Sequence, residues 1–274
     1  MKEICVHEEC TGCTACSSIC GKSAISFKPD ALGFLYPEID QEKCVNCGLC
    51  GSICPNNSSV LKAFPQDSFV GYANDCEEQL TSSSGGVASA ISRWIIKNDG
   101  VVFGCYAESI DNISHIRVDK EEDLFKLKGS KYVQSDMRSC YSLVRKDVLN
   151  NKKVLFIGTP CQVAGLKSFL RKEYQNLITM DFVCHGVPSQ RILKESLKSK
   201  ALDFSHRDYN VSFRRKTRKG EKYISSYGLF IKDKKDHKNY NYIYEGLYPK
   251  DMYITGFLSA LFYRNSCYQC HYTT

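Results

Sequence analysis

The sequence predicts an α+β chain in two parts, a small metal-dependent unit over residues 1–60 and a larger mixed α/β domain over residues 61–274. Three observations predict it. Two cysteine runs of identical spacing lie near the N-terminus. Apolar β-branched runs then alternate with helical patterns up to about residue 200. Beyond Val211, strand-like segments follow one another with no helix between them.

The first run is Cys10, Cys13, Cys16, Cys20, and the second is Cys44, Cys47, Cys50, Cys54, followed by Pro55. Both have the spacing C-x2-C-x2-C-x3-C, the bacterial run that wraps a cubane iron–sulfur cluster. Three closely spaced thiolates on one tight loop cap three irons of a cube. The fourth iron lies out of that loop's reach, so the fourth cysteine of each run serves the other cluster. The expected ligand sets are Cys10, Cys13, Cys16 with Cys54, and Cys44, Cys47, Cys50 with Cys20. A disulfide scaffold or a zinc module is the alternative. The repeated spacing, and Ser-Ile-Cys closing both runs, argue against coincidence. Gly21 stands where the second run has Pro55, a departure that removes no ligand. Between the runs, residues 25–39 read as a hairpin punctuated by Pro29-Asp30 and Gly33. The unit looks like a small bacterial ferredoxin with internal two-fold repetition, carrying two [4Fe-4S] clusters and ending near Ser59. So short a segment has little core, so the metal supplies much of its folding energy. Such a cluster pair stores and passes single electrons.

The chain has 274 residues, 43% of them hydrophobic, and about 210 remain after the first unit, enough for one sizeable α/β domain. No run of about 18 apolar residues occurs, so no membrane span is expected. The first residues lack the apolar stretch of a signal peptide. The sixteen cysteines therefore read as cytosolic thiols and cluster ligands, and a cytoplasmic location is expected. The net charge of +7 is densest over residues 214–219 and 232–238. Both stretches read as solvated hairpin or loop faces. The alternative is attraction for an acidic partner, such as an acidic ferredoxin or a phosphorylated coenzyme. No nucleic-acid-binding motif accompanies the charge, so nucleic acid is not an expected partner.

In chain order, residues 68–73 read as a strand. Residues 85–98 read as a helix with Val87, Ile91, Trp94 and Ile95 on one face and Gly100 past its end. Residues 101–106 are a strand, and 114–118 pair near it. A short helix covers 121–126 and a longer one 137–149, with Tyr141, Val144 and Val148 on its apolar side. Residues 154–158 form a buried strand and 161–171 a helix. Residues 177–183 form another strand and 190–200 a helix. This order implies parallel βα units. Residues 211–214, 223–232 and 240–244 read as antiparallel strands, and 252–263 as a final helix.

Several segments carry site chemistry. Ser82-Ser-Ser-Gly-Gly86 opens the first helix, and small residues there let a phosphate approach free N–H groups. A plain serine N-cap is the alternative. Gly129-Ser-Lys-Tyr-Val-Gln-Ser135 is polar, with Lys131 and Tyr132 adjacent. In Gly158-Thr-Pro-Cys-Gln162 a strand ends and a helix begins, with Thr159 as N-cap, Pro160 at the first helical position and Gln162 completing a capping box. Cys161 then sits at a helix N-terminus, where its thiolate is favoured. Cys184-His-Gly-Val-Pro188 ends the neighbouring strand, and open α/β sheets bind ligands at the carboxyl ends of strands. Cys267-Tyr-Gln-Cys270 adds two thiols at metal-ligand spacing. Cys161, Cys184, Cys267 and Cys270 could hold a third [4Fe-4S] cluster. A zinc site, or a C-x-x-C redox pair beside two buried cysteines, is the alternative. Cys5, Cys76, Cys105 and Cys140 have no partner pattern and read as apolar fillers.

Lys128-Gly-Ser-Lys-Tyr-Val-Gln-Ser135, Gly158-Thr-Pro-Cys-Gln-Val-Ala-Gly-Leu166, Asp181-Phe-Val-Cys-His-Gly-Val-Pro-Ser189 and Ser266-Cys-Tyr-Gln-Cys270 together resemble the beta subunit of coenzyme F-420 hydrogenase/dehydrogenase. Ser83-Ser-Gly-Gly86 fits the same pattern, and the resemblance runs from about Glu9 to the last residue. It implies ferredoxin-type clusters joined to an FAD-binding α/β domain. It also implies a third cluster at Cys161, Cys184, Cys267 and Cys270, and flavin contacts from Ser83, Ser84, Gly85, Gly86, Lys131 and Tyr132. Related sequences continue past the C-x-x-C-x-Tyr segment into Asp-Ile-Thr-Ile-Gly-Asp-Phe-Trp-Gly, whereas this chain stops at Thr274, which reads as a truncated form.

The expected function is an iron–sulfur flavoprotein oxidoreductase. A ferredoxin or other one-electron protein is the expected partner, and a small molecule or coenzyme the expected substrate. Lys131 and His185 are the expected catalytic residues, giving charge or proton support near the flavin. The alternative is an electron-transfer subunit whose substrate site lies on a partner.

Overall fold

A computed structural model describes residues 3–57, 64–200, 209–219, 222–233 and 242–272. The boundary expected near residue 60, residues 234–238 of the second basic stretch and residues 240–241 of the last expected strand lie outside the described residues, and the strand observed there begins only at Tyr244. The fold is α+β.

In the N-terminal unit each cysteine loop runs into one short helix, α1 (Ala15–Ile19) and α2 (Leu49–Ser52). Each helix is entered through a left-handed residue, Thr14 at φ 67° and Gly48 at φ 74°, so the repeat seen in the sequence recurs in the backbone. Between them β1 (Ile25–Pro29) and β2 (Leu35–Ile39) pair antiparallel, Ile25 opposite Ile39. Asp30 shapes the turn by accepting from the N–H groups of Leu32 and Phe34 at 2.9 and 2.8 Å. The unit's own core is small: Ile4, Cys16 and Cys54 with Ile25, Phe27 and Ile39 packed around them.

The larger part begins with α3 (Cys76–Thr81) and α4 (Val87–Lys97). A four-stranded sheet follows, built from β3 (Val101–Ser109), β4 (Asn112–Val118), β5 (Val154–Ile157) and β6 (Leu177–Met180) in the order β4-β3-β5-β6. β5 is parallel to both β3 and β6, while β4 is an antiparallel edge. A 3-10 helix (Glu121–Leu127) and α5 (Cys140–Leu149) precede β5, α6 (Pro160–Leu170) joins β5 to β6, and α7 (Gln190–Lys198) follows. A second, antiparallel sheet contains β7 (Tyr209–Lys219), β8 (Lys222–Asp233) and β9 (Tyr244–Leu247), and α8 (Met252–Leu258) and α9 (Asn265–Tyr268) end the chain.

The strand periodicity explains the layers. Val101, Phe103, Val154 and Phe156 face α5 and α6, packing with Tyr141, Val144 and Leu166. Val102 and Leu155 face the other side, against Ile95 of α4, Val118 and Leu124. Successive strand side chains point to opposite faces, so a strand covered on both reads as a continuous apolar run. Cys13, Ala15 and Ile53 of the N-terminal unit share the core of Phe156 and Leu166. The two parts are therefore packed through one apolar interior.

Several expectations change. Residues 68–73 form no strand, and Phe69 and Val70 are exposed. Their apolar alternation finds no edge among the described strands, and Ala73 bonds across to the Gly85 carbonyl at 2.7 Å. On α4 the inward face is Ile91, Ser92 and Ile95, while Val87 and Trp94 are exposed and Trp94 lies 4.4 Å beneath the Lys153 ammonium. The strand beginning at Leu177 ends at Met180. The last long helix stops at Leu258 because Ala260 adopts φ 55° and Leu261 donates back to the Gly256 carbonyl at 2.9 Å. Among the described residues no helix is long and apolar enough to cross a membrane.

Candidate functional site

The cysteines fall into three groups. Cys20, Cys44, Cys47 and Cys50 line one cavity, with Ile39 and Leu49 forming apolar wall. Cys10, Cys13, Cys16 and Cys54 line a second. Each cavity thus takes three cysteines of one run and the last cysteine of the other. The grouping follows from α1 and α2 lying side by side. Each helix carries its run's fourth cysteine away from its own loop and toward the neighbour's. Cys47 is exposed, whereas Cys10, Cys13, Cys16 and Cys54 are buried.

Cys5, expected to be filler, also lines the second cavity, and its thiol bonds to Cys10 and Cys54. That bond pulls Cys10 down to about 6, helped by the nearby Arg264 guanidinium. Burial pushes Cys13 up to about 11. Cys76 is exposed at the first turn of α3 and is no filler, while Cys140, the first residue of α5, does fill the core. Among the described residues no three His, Cys, Asp or Glu side chains gather tightly enough for a single metal ion. The cysteines instead ring cavities, an arrangement that fits a multi-atom group with thiolate corners.

The third group lies at the carboxyl ends of β5 and β6. Thr159 caps α6, and its N–H donates to Gln162 Oε1 at 2.9 Å, the expected reciprocal bond. Cys161 neighbours Cys184, Cys13 and Cys267, and Cys267 neighbours Cys184 and Cys270. Burial pushes the Cys161 thiol up, overriding the expected thiolate preference of a helix start. Gly165, one turn along α6, faces Cys13 so closely that a Cβ there would sit 2.9 Å from its sulfur. The third group therefore abuts the second cavity.

A buried chain of hydrogen bonds braces this region. His115 Nε2 donates to the Ile157 carbonyl at 3.0 Å, and Ser135 Oγ donates to His115 Nδ1 at 2.9 Å. Ser135 Oγ in turn accepts from Gln162 Nε2 at 3.0 Å. A carbonyl can only accept, so Nε2 carries a proton, and in the neutral ring that burial favours Nδ1 is left to accept from Ser135. Burial, with a contribution from Lys131, depresses His115 to about 4. The unfolded chain takes up this proton below its ordinary value near 6.5, and the folded chain resists down to about 4. Stability contributed by His115 is thus present above pH 6.5 and lost as pH falls toward 4. Between pH 7 and 5.5 the wild-type protein is expected to lose about 1 kcal/mol more than His115→Gln, read from denaturant unfolding at both pH values.

The expected flavin residues come together around α4. Ser83 Oγ accepts from the Ser130 N–H at 2.7 Å. Lys128 pairs with the buried Glu78 at 2.8 Å and donates to Thr81 Oγ1 at 3.0 Å, tying α3 to the loop after the 3-10 helix. Gly86 adopts φ 83° at the start of α4, and a Cβ on Gly85 would lie 2.9 Å from the Gly71 carbonyl, so both glycines are needed for the close turn. Lys216 of β7 donates to the carbonyls of Gln79 and Ser84. Lys131 Nζ donates to the Leu127 and Lys128 carbonyls at 3.1 and 2.8 Å, and burial lowers its pKa. Tyr132 stacks on Phe257 at 4.4 Å and 11°.

Lys131 and His185 do not touch. His185 is exposed, with Nδ1 bonded to the Tyr263 hydroxyl and its ring 5.8 Å from Phe257. Phe257 separates it from Tyr132. Sequence reasoning missed Cys5, His115, Gly165 and Arg264. None follows a spacing rule, and each acquires its place through contacts distant in sequence.

Residues 9–58 match the family described as 4Fe-4S dicluster domain. Residues 151–274 match the family described as the C terminus of the beta subunit of coenzyme F420 hydrogenase/dehydrogenase. No curated protein gives a significant match. A solved F420-reducing nickel–iron hydrogenase complex from Methanosarcina barkeri contains a chain that is 15% identical, with a TM-score of 0.42, over 63% of this chain and 61% of that one. The likeness spans under two thirds of that relative's length. The chain thus joins a region that matches the 4Fe-4S dicluster domain to one that matches the C terminus of the coenzyme F420 hydrogenase/dehydrogenase beta subunit.

Proposed function

We propose that this chain is an iron–sulfur flavoprotein oxidoreductase. In this reading it relays electrons between a ferredoxin-type donor and a small-molecule or coenzyme substrate. The observation that carries the reading is the continuity of the three cysteine groups. The group at Cys20, Cys44, Cys47 and Cys50, half-buried except for the exposed Cys47, is the natural entry for a protein donor. The group at Cys10, Cys13, Cys16 and Cys54 lies next, and Cys161, Cys184, Cys267 and Cys270 abut it through Cys13. In our reading each group holds one [4Fe-4S] cluster. Beyond them, His185, Phe257 and Tyr132 lead toward the loops at Ser83 and Lys131.

When bound, the clusters pass single electrons, and FAD pairs two of them for hydride chemistry. The chain's own residues supply position and charge. The small residues Ser83, Ser84, Gly85 and Gly86 let a diphosphate approach the start of α4. Lys128, Lys131 and Lys216 surround those loops with positive charge. The Tyr132 ring offers a flat apolar face.

The test is anaerobic purification, followed by iron, sulfide and flavin per chain after reconstitution. About twelve irons with one FAD support the full reading. Lys131→Gln is expected to weaken flavin uptake about tenfold while leaving iron unchanged. About eight irons with no flavin after soaking favours an electron-transfer subunit whose substrate site lies on a partner, a role the net charge of +7 suits. Zinc in place of iron overturns the redox reading.

A further inference from the structure

Arg264 heads the fully buried side chains in size, with no exposed surface. It lies between α8 and α9 and reaches into the first cysteine loop. Its Nε donates to the Cys10 carbonyl at 2.5 Å. Nη2 donates to the Leu35 carbonyl at 2.9 Å, and Nη1 to Gln134 Oε1 at 3.2 Å. The guanidinium carbon lies 4.1 Å from the Tyr36 ring centre and 5.7 Å from that of Phe34. Nη2 also points at Cys10 Sγ, 3.6 Å away.

Apart from that sulfur, every partner is a neutral carbonyl, amide or ring. Among the described residues the ion pairs of buried carboxylates go elsewhere, Glu78 to Lys128 and Arg93, Asp147 to Arg117, and Asp251 to Lys200. A guanidinium does not give up its proton, and an uncompensated buried charge is costly. Its compensation must come from the group it points at. Cys10 is one corner of the cavity lined by Cys13, Cys16 and Cys54.

We propose that Arg264 is the built-in counter-charge of a cluster held by Cys10, Cys13, Cys16 and Cys54, and that it raises that cluster's reduction potential. The inference rests on the cluster reading above. Reduction there adds one electron, takes up no proton and breaks no bond, so a fixed positive charge favours the reduced, more negative state. The effect is local. Lys22 and Lys43 beside the other run are exposed, and solvent screens them. Arg264 acts as a positioning residue too. Its N–H donates to the Val187 carbonyl, and its carbonyl accepts from the Cys267 N–H at 2.8 Å, which ties the third group to the first loop.

The test separates charge from scaffolding. The full chain, reconstituted with iron and sulfide, is titrated anaerobically and followed by electron paramagnetic resonance, beside Arg264→Lys and Arg264→Gln. Arg264→Gln is expected to lower the reduced-to-oxidised ratio of one cluster at least tenfold at a given potential, about 59 mV for one electron. The cluster at Cys20, Cys44, Cys47 and Cys50 is expected to stay within twofold, and Arg264→Lys to retain most of the wild-type potential. A loaded Arg264→Gln protein with unshifted potentials overturns the proposal, as does an equal shift in both variants. Should Arg264→Gln fail to take up iron, the wild-type protein decides. With guanidino-15N arginine, pulsed resonance is expected to detect nitrogen coupling to one reduced cluster, and its absence overturns the proposal. A wild-type chain with no cluster at Cys10 overturns both this inference and the cluster reading. Loaded clusters that ignore Arg264 overturn this inference alone.

Discussion

Cys54→Ala is expected to empty the cluster site of the opposite run. Cys54 lines the cavity of Cys10, Cys13 and Cys16, not that of its own run, while Cys20 stands with Cys44, Cys47 and Cys50. About four of the roughly eight irons in the N-terminal unit should be lost. The signature is spectroscopic. The reduced spectrum of Cys54→Ala should match that of Cys13→Ala, and that of Cys20→Ala should match Cys47→Ala. The reverse matching would mean that each run serves one cluster alone. Cys5→Ala is the control, because Cys5 touches Cys10 and Cys54 but lies outside both runs. It should keep the full iron content. A Cys5→Ala protein that lost a cluster would make Cys5 a ligand and displace one of the expected four. The loss in Cys54→Ala should also loosen the unit, since its apolar core is little more than Ile4, Cys16 and Cys54 with their neighbours.

Gly165→Val should separate the two parts of the molecule where they are most tightly joined. A Cβ at Gly165 would lie 2.8 Å from Tyr141 Oη and 2.9 Å from both Cβ and Sγ of Cys13. Neither neighbour can yield freely. Tyr141 has no exposed surface and donates to the Gln162 carbonyl at 2.7 Å. Cys13 sits in the first cysteine loop, with its neighbour Ala15 in the shared core. Overpacking of this kind costs about 1–3 kcal/mol, which for a chain of this size lowers the thermal midpoint by several degrees, about 2–4 °C for each kcal/mol. Iron should be lost first from the site of Cys10, Cys13, Cys16 and Cys54. Gly21→Ala is the control, because a Cβ there meets nothing within 4 Å, and its effect should stay within about 0.5 kcal/mol. A Gly165→Val protein with unchanged stability and iron would show that α6 and the first loop are not in contact.

Much of this molecule is legible from residue order alone. The cysteine spacing predicted crossed sets, and the same cysteines line the two cavities, because a loop of fixed length leaves few ways to meet. The uninterrupted apolar runs at Val101 and Val154 announced strands covered on both faces, and Thr159, Pro160 and Gln162 announced the start of α6. These signals are local, or follow from the reach of a short loop. Residues 68–73 misled for the converse reason. Their alternation is local, but a strand also needs a neighbour, and none of the described strands borders them. On α4, Val87 and Trp94 fit an apolar stripe, yet the sheet selects Ile91, Ser92 and Ile95, since the packing partner and not the helix decides which stripe is buried. Only the tertiary structure brought Cys5 beside Cys10, placed Gly165 against Cys13, aligned His115 with Ser135 and Gln162, and buried Arg264 over the first cysteine loop. Each of these is a pairing across sequence, so no window of residues contains it. Composition and spacing determined which chemistry this chain can hold, and long-range packing decided which charges and hydrogen bonds surround it.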